Sequence, residues 1–375
     1  MSDLPEPDRI AGAPHPRETT KLLGQAKAEA AFLEAFNTGR MHHGWLITGP
    51  RGVGKSTLAW RIARFLIAQP PAGGDSGLFC DAPPAPTSLD ISSDHPVSQR
   101  IAALSEPQLF LLRRAANDKG DGLKTVITVD EVRRLKSFLS LSATDGGRRV
   151  VIVDAADEMN VSAANALLKL LEEPPDDTIL LLVSHQPSGL LPTIKSRCRE
   201  LRCAPLSPDD LATALATAGV EEISDPTVLA ALAAGSVGEA MRLVTLGGHQ
   251  TYQTLCDLFH AAPGLDRPRA LAMAESAVGK KNAERYELLL DMFDLFLSRM
   301  ARAGVSGPPV IEAAKGEIAL FAKLAPTPRH GRRWAELQQS LSARVRHGRA
   351  VNLDPAALIL DMLLKMDQTA AEVAA

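Results

Sequence analysis

A glycine-rich segment carries the clearest chemistry in the chain. Gly49 is followed, after four residues, by Gly54, Lys55 and Ser56, which is the spacing of a phosphate-binding loop. In such a loop the glycines let backbone N–H groups turn toward phosphate oxygens, and the positive end of the following helix strengthens the attraction. We expect Lys55 to reach the outer phosphates and Ser56 to offer its hydroxyl to Mg²⁺. The candidate nucleotide-binding residues here are Gly49, Gly52, Gly54, Lys55, Ser56 and Thr57.

A second candidate for nucleotide chemistry lies further along the chain. An apolar run over residues 150–153 ends at a carboxylate, Asp154. This pattern is typical of a buried parallel strand with a functional residue at its carboxyl end. Asp154 is therefore the candidate carboxylate on the Mg²⁺ side of the nucleotide, together with Ser56. A loop that keeps its shape but no longer binds nucleotide stays open as an alternative, because the sequence alone does not separate the two.

The elements that position these residues are short apolar strands separated by helices. Besides the strand before Gly49 and the run ending at Asp154, the sequence predicts strands over 178–183 and 199–203. Four such strands specify an α/β domain with a mostly parallel sheet covered by helices on both faces, and such folds bind ligands at the carboxyl ends of the strands. Over 70–124 the periodicity lapses, so we predict an irregular insertion with one helix near 97–116.

The rest of the chain is predicted to be helical. Ser207 and Pro208 start one helix, and Gly235 and Ser236 start another, which breaks at the glycines 247 and 248. Longer helices with an apolar face follow, among them 283–303 and 354–366. We predict a nucleotide-binding α/β domain over 1–205, a small helical domain over 206–248 and a second, all-α domain over 249–375.

Composition and charge limit the classes of function. Lys and Arg number 41 and Asp and Glu 44, which gives a formal charge of −3. Such a chain is no self-sufficient nucleic-acid binder, so any DNA contact has to be local or shared with partners. The four cysteines form neither a disulfide framework nor a CxxC pair. With no apolar signal segment at the start and no long uncharged apolar run, we expect a soluble cytoplasmic protein without membrane contact.

Two further motifs carry a family resemblance. Residues 165–175 read N-A-L-L-K-L-L-E-E-P-P, and S-R-C follows at 196–198. Together with the phosphate loop, the strand ending at Asp154 and the helical tail, these motifs make the chain resemble the AAA+ clamp-loader subunits of bacterial DNA polymerase III over roughly residues 22–243. The H-P-R-E-T element at 15–19 is similar to that of the delta-prime members. The resemblance implies a P-loop AAA+ domain, a helical lid domain and a C-terminal collar domain that oligomerises.

The resemblance also implies partners and a role for one arginine. A subunit of this kind works in a hetero-oligomer with gamma/tau and delta subunits, and the complex loads the sliding clamp onto primed DNA in replication. In this family the Arg of S-R-C, here Arg197, reaches into the neighbouring subunit's ATP site as an arginine finger in trans. Such fingers are worth ~10³–10⁵ in rate. The alternative is a surface salt bridge, and the motif at 165–175 favours the finger.

Two departures from the hydrolysing members favour a weak or non-catalytic nucleotide site. Those members place a Glu beside the strand-end Asp to polarise the attacking water, whereas Ala155 follows Asp154 here. They also carry an Arg after Gly-Ser at the start of a lid helix, where this chain has Gly238. We therefore expect ATP with Mg²⁺ to be held weakly or without hydrolysis. The alternatives are a hydrolysing gamma/tau-like motor subunit, identified by robust ATPase turnover, and a P-loop kinase, identified by phosphorylation of a small acceptor.

A zinc site and a DNA-binding patch are both disfavoured by the sequence. Many family members carry a four-cysteine zinc module before the strand that ends at Asp154, but the corresponding region holds only Cys80, so no zinc is expected. A basic run near the C-terminus is interpreted as a solvated helix face, with a DNA-facing or partner-facing patch as the alternative. Its members are Arg329, Arg332, Arg333, Arg344, Arg346 and Arg349.

Overall fold

The computed structural model describes residues 6–9, 12–69, 85–117, 119, 122–140, 147–220, 223, 225–279 and 282–374. The chain forms two compact units, one of residues 1–219 with 236–238 and the other of residues 220–235 with 239–375. The domain boundaries predicted at 205 and 248 stay predictions. Cys80 and the rest of 70–84, the first part of the predicted insertion, lie outside the described residues.

The first unit is built on one parallel sheet of five strands. These are β1 (Gly44–Thr48), β2 (Leu109–Arg113), β3 (Arg149–Asp154), β4 (Thr178–Ser184) and β5 (Arg199–Arg202), and their spatial order is β2-β3-β4-β1-β5. Every residue of β1 and β4 is buried, as expected for a parallel sheet covered on both faces. The predicted fold class, an α/β domain with a parallel sheet followed by helices, is confirmed.

Strand β2 corrects the sequence analysis, which predicts four strands. The region predicted as one helix over 97–116 holds a short helix, α3 (Pro96–Ala102), and then this edge strand. Its L-F-L-L-R sequence is a short apolar run, and periodicity alone does not separate such a run from a buried helical segment. Pairing with β3, from Leu109 opposite Val150 to Arg113 opposite Asp154, is the non-local interaction that makes it a strand.

Local sequence signals explain how the helices around the sheet begin. The backbone N–H of Thr128 donates to the Glu131 carboxylate (2.8 Å) at the start of α4, which is one of the two hydrogen bonds of a capping box. Asn160 accepts from the N–H of Ala163 (2.8 Å) and caps α5. Buried leucines of α4 and α5, such as Leu135 and Leu167, pack on the sheet. The helices of this unit besides α3 are α1 (Ala26–Asn37), α2 (Lys55–Ala68), α4 (Val129–Ser140), α5 (Val161–Glu172), α6 (Pro192–Lys195) and α7 (Pro208–Thr217).

The segment before α1 is held at the end of β2 by charged side chains. Arg113 donates to Asp8 (2.8 Å), and Arg17 donates to Glu6 (2.6 Å). His15 is fully buried, with its Nε2 3.1 Å from an Asp8 oxygen. Because Arg113 lies opposite Asp154 in the sheet, this network brings a second carboxylate, that of Asp8, toward the carboxyl end of β3.

The second unit is helical, as predicted. The close approach of two long helices is set by glycines: a Cβ on Gly304 would lie 2.8 Å from the Cα of Gly331. Asp354 accepts from the N–H of Ala357 (3.0 Å) and caps the last helix. The helices are α8 (Pro226–Leu232), α9 (Val237–Leu246), α10 (Gly248–His260), α11 (Arg267–Glu275), α12 (Ala283–Ser306), α13 (Glu317–Leu324), α14 (Pro328–Ala350) and α15 (Pro355–Ala374).

Among the helices of the described ranges, no single one is both long and apolar enough to cross a bilayer. Only α8 and α9, joined across a bend of 107°, reach the required length and composition together.

Candidate functional site

The predicted phosphate loop connects the buried strand β1 to α2. Gly49, Gly52 and Gly54 have φ values of 143°, 77° and 96°, in the region that only glycine adopts readily. A Cβ would also collide with neighbouring atoms, since it would lie 2.4 Å from the Cys203 carbonyl oxygen at Gly49 and 2.1 Å from the Ser236 Oγ at Gly52. Both backbone conformation and space therefore require the glycines of this loop.

Lys55 is buried at the start of α2 and is bound to its own loop. Its ammonium donates to the carbonyl of Gly49 (2.8 Å) and to the carbonyl of Pro50. Burial lowers the pKa of Lys55 to about 8, while the nearby Asp154 carboxylate acts in the opposite direction. The loop carbonyls thus hold the ammonium at the position from which we expect it to contact phosphate.

The structure brings together the two residues predicted to face Mg²⁺. The Ser56 hydroxyl donates to the Asp154 carboxylate over 2.5 Å, and Thr57 follows in the first turn of α2. Burial, with smaller contributions from the carboxylates of Asp8 and Glu158, raises the pKa of Asp154 to about 6 against the opposing effects of the Ser56 hydrogen bond and Lys55. Asp154 is thus a buried carboxylate whose negative charge is poorly compensated.

These residues fit the phosphates and the magnesium ion of a nucleotide. The loop glycines allow the backbone to curve closely, α2 begins where the loop ends, and the Ser56 hydroxyl adjoins the carboxylate of Asp154. In P-loop proteins the phosphates provide further oxygen ligands for the ion. Within the described ranges, no group of three or more His, Cys, Asp or Glu side chains is arranged to hold a metal ion.

The two carboxylates after Ala155 are both engaged by other groups. Asp157 accepts from the Ser184 hydroxyl (2.7 Å) and from the backbone N–H groups of His185 and Gln186, so it caps the end of β4. Glu158 lies 2.7 Å from Nε of Arg114 and 3.6 Å from Nη2 of Arg51. The polar Ser-His end of β4 is the signal in the sequence that could have identified the partners of Asp157.

The first residues of α9 and the residue just before them lie against the phosphate loop. The N–H of Val237 donates to the Gly52 carbonyl (3.0 Å), and Ser236 is the residue whose hydroxyl fills the space beside Gly52. Gly238, the position of the expected family arginine, is therefore near the loop but carries no side chain to reach a phosphate.

Arg197 lies in the turn between α6 and β5, with its side chain 37% exposed. Its Nη2 is 3.0 Å from an oxygen of Glu172, the last residue of α5. Its Nη1 donates to the Thr193 carbonyl (3.1 Å) and more weakly to the Ser196 hydroxyl (3.4 Å). The salt bridge considered as the alternative for Arg197 is thus present, and its carboxylate belongs to the motif at 165–175, which sequence reasoning did not connect to Arg197.

Arg197 and the phosphate loop lie at opposite ends of strand β1. A Cβ on Gly44, the first residue of β1, would lie 3.0 Å from the Arg197 carbonyl oxygen, and Arg199 pairs with Trp45. The loop begins at Gly49, five residues further along the same strand. At ~3.3 Å per residue this separation is about 16 Å. The two sets of candidate residues therefore form two separate sites.

A family model described as "DNA polymerase III, delta subunit" matches residues 24–207, which include the loop, Asp154 and Arg197. Residues 24–207 are thus similar to this family of DNA polymerase III subunits. The delta' subunit of Pseudomonas aeruginosa is 42% identical over 205 residues, 54% of this chain and 55% of that relative. The delta' subunit of Escherichia coli is 34% identical over 238 residues, 63% of this chain and 64% of that relative. The matches thus span between about half and two thirds of these relatives.

The chain is also similar to a DNA polymerase III gamma/tau subunit and to a solved structure. A gamma/tau subunit of Mycobacterium bovis is 32% identical over 48% of this chain and 28% of that relative. A gamma subunit-related protein of Thermotoga maritima aligns over 90% of this chain and 99% of its own, with 16% identity and a TM-score of 0.35. At so low a TM-score, the fold assignment rests on the sheet order and the family match.

Three of the six arginines in the basic run are paired with carboxylates of their own unit. Arg333 pairs with Glu372 (2.7 Å), Arg344 with Asp361 (2.8 Å) and Arg349 with Glu287 (2.5 Å). These pairs connect α14 to α12 and α15. They favour the interpretation as a solvated helix face over a DNA-facing patch, because half of the run's charge is already paired.

Proposed function

We propose that the chain is a delta-prime-type subunit of a DNA polymerase III clamp loader. In this role it works in a hetero-oligomer with gamma/tau and delta subunits, and the complex places a sliding clamp on primed DNA. The family match over residues 24–207 and the identity to two delta' subunits support this assignment. The assignment of the partner subunits, the clamp and the DNA is inferred from the family resemblance and not from a contact that this chain makes.

In the proposed complex, Arg197 completes the ATP site of a neighbouring subunit. The observation that carries this proposal is the position of Arg197, which lies at the end of strand β1 opposite to the phosphate loop. A separation of about 16 Å along β1 is longer than an arginine side chain, so Arg197 cannot serve its own loop. Its guanidinium is partly exposed. An exposed cation of this kind can neutralise charge that develops on a phosphoryl group bound to another chain.

The chain's own loop is proposed to hold ATP with Mg²⁺ without efficient hydrolysis. When bound, ATP would supply the phosphoryl group that a hydrolysing site transfers to water. Lys55 and the loop N–H groups would hold its phosphates, and Ser56 and Asp154 would face the ion. Ala155 occupies the usual position of the water-orienting carboxylate. The next two carboxylates are engaged elsewhere, because Asp157 accepts from three donors and Glu158 is paired with two arginines.

Reconstitution of the loader with Arg197→Ala tests the role in trans. We expect turnover at the neighbouring site to fall by ~10³-fold or more, so that the DNA-stimulated ATPase of the whole complex loses that site's share. Arg133→Ala, which removes an exposed arginine of α4, is the matched control. Undiminished DNA-stimulated ATPase with Arg197→Ala would contradict the proposal.

Nucleotide binding by the isolated chain tests the role of its own loop. We expect a fluorescent ATP analogue to bind the unaltered chain, Lys55→Ala to weaken binding at least about tenfold, and the bound nucleotide to stay unhydrolysed. Robust turnover by the isolated chain would instead identify a hydrolysing motor subunit. The similarity to a gamma/tau subunit is the observation that keeps this second function in view.

A further inference from the structure

Glu172 and Arg197 form an ion pair that joins two motifs of the chain. Glu172 is the last residue of α5, and Arg197 follows α6. The Glu172 oxygen lies 3.0 Å from Nη2 of Arg197, and the two side chains are 43% and 37% exposed. The pair therefore sits at the surface, where either side chain can contact another protein chain.

Both partners are carried by parts of the backbone that are fixed by packing. Leu171, the residue before Glu172, is buried, and its carbonyl is within hydrogen-bond distance of the His43 ring (2.9 Å). On the other side, the N–H of Arg197 donates to the Ile194 carbonyl (3.1 Å), and the Ile194 side chain is buried. A charged pair held between two rigid elements has a defined geometry before any partner arrives.

The contacts of the guanidinium leave part of it available. Nη2 faces Glu172, and Nη1 faces the Thr193 carbonyl and the Ser196 hydroxyl. Among the described residues, no group binds the Nε donor. Since the guanidinium is planar, fixing both Nη atoms also fixes the direction of Nε–H.

Helix stability does not account for Glu172. The C-terminal end of a helix carries partial negative charge, so a carboxylate in its last turn is unfavourable for the helix dipole. Glu172 occupies that position in α5, and so its contact with Arg197 is the favourable interaction that the side chain makes.

We propose that Glu172 is a positioning residue that orients the Arg197 guanidinium before the clamp loader assembles. The proposal rests on the proposed role of Arg197 in trans and adds the group that directs it. An arginine that is already oriented loses less rotamer freedom when it meets the neighbouring subunit's nucleotide, so more of the contact energy goes to the reaction.

Steady-state kinetics of the reconstituted loader test the proposal. Glu172→Ala is expected to lower kcat for DNA-stimulated ATP hydrolysis at the neighbouring site about two- to fivefold, the range for an exposed ion pair, and to leave KM for ATP unchanged. Glu172→Gln keeps a hydrogen-bond acceptor, so its kcat is expected to lie between those of the unaltered chain and Glu172→Ala. The matched control is Glu173→Ala, since Glu173 is the adjacent exposed carboxylate and makes no ion pair with the described residues.

A double-mutant cycle separates positioning from a structural effect. In the Arg197→Ala background, Glu172→Ala is expected to have no further effect, because the group it orients is gone. Equal fold losses in both backgrounds would overturn the proposal, and so would a rate increase with Glu172→Ala, which would mean that Glu172 restrains the arginine. If Arg197→Ala leaves the ATPase rate unchanged, the proposed role in trans is wrong. If Arg197→Ala lowers the rate but Glu172→Ala has no more effect than Glu173→Ala, only the positioning role is wrong.

The isolated full-length chain gives a second readout that does not depend on assembly. The NMR order parameter of the Arg197 Nε–H group reports how well the guanidinium is held on the ps–ns timescale. We expect it to fall in Glu172→Ala and to stay constant in Glu173→Ala. An unchanged value in Glu172→Ala would also overturn the proposal.

Discussion

The two units of the chain each bury a carboxylate, and they compensate it very differently. Glu317, in the helical unit, is fully buried and receives hydrogen bonds from the Tyr252 hydroxyl (2.5 Å), from Nε and Nη2 of Arg299 (2.7 and 2.8 Å) and from the N–H of Ala313 (2.7 Å). Asp154, in the sheet unit, is 5% exposed, and Ser56 is its one side-chain donor among the described residues.

The difference distinguishes a structural carboxylate from one suited to binding. The oxygens of Glu317 are occupied by protein donors, and a paired arginine balances its charge. The charge of Lys55 lowers the pKa of Asp154, but burial outweighs it and the Lys55 ammonium donates to the loop carbonyls. The described side chains therefore balance the charge of Asp154 only in part.

The largest expected effect comes from breaking the compensated site. Glu317→Gln removes the charge that balances buried Arg299 and places an amide N–H₂ against donors. We expect the helical unit to lose about 3–5 kcal/mol of unfolding free energy, measured by urea denaturation. Glu336→Gln, at an exposed carboxylate, should change the value by less than about 0.5 kcal/mol. A loss as small as that of the control would mean that the two carboxylates do not differ in the way described.

Removing the charge of Asp154 is expected to raise the free energy of unfolding, whereas removing that of Glu317 lowers it. The pKa of Asp154 is raised from 3.8 to about 6, so the ionised carboxylate opposes folding. Asp154→Asn should stabilise the nucleotide-free chain by up to about 3 kcal/mol near neutral pH. Below pH 3.8 the wild-type carboxyl is neutral in both the folded and unfolded states, so the gain should shrink as pH falls through 6 toward 3.8. Thermal unfolding at several pH values measures this, and destabilisation at neutral pH would contradict it.

The smallest effect tests the single donor to Asp154. Ser56→Ala removes the hydrogen bond that favours the charged form, so the pKa of Asp154 should rise above 6. Stability near neutral pH should fall by about 0.5–1.5 kcal/mol. A ¹³C NMR titration of the Asp154 carboxyl group measures the pKa directly. If the pKa stays unchanged or falls, a donor other than Ser56 compensates the charge.

Features that depend on neighbouring residues could be predicted from the sequence, and features that join distant ones could not. The phosphate loop, the strand ending at Asp154 and the cap at Asp354 are local patterns with direct physical causes. Strand β2 was missed because an apolar run of five residues takes its conformation from pairing with β3. Motif recognition compensated in part, since it pointed to Arg197 without any knowledge of the contact that holds it.

The polar networks illustrate the same limit. Tyr252 and Glu317 are 65 residues apart, and each looks ordinary in its own helix. Glu172 and Arg197 belong to two motifs that were both recognised, yet their ion pair depends on where α5 ends relative to the turn before β5. Asp157 caps β4 through a contact that spans 27 residues. Side-chain partners of this kind follow from the fold, so they become visible only once the fold is known.

Strand β1 links the two ends of the sheet and also insulates them. Gly44 borders the Arg197 turn, and Gly49 opens the phosphate loop, with four paired and buried residues between them. On the proposed function, each end of the strand serves a different nucleotide, one bound by this chain and one by its neighbour. A lineage of such chains can therefore lose hydrolysis at its own loop while inheritance preserves the arginine that its neighbour requires.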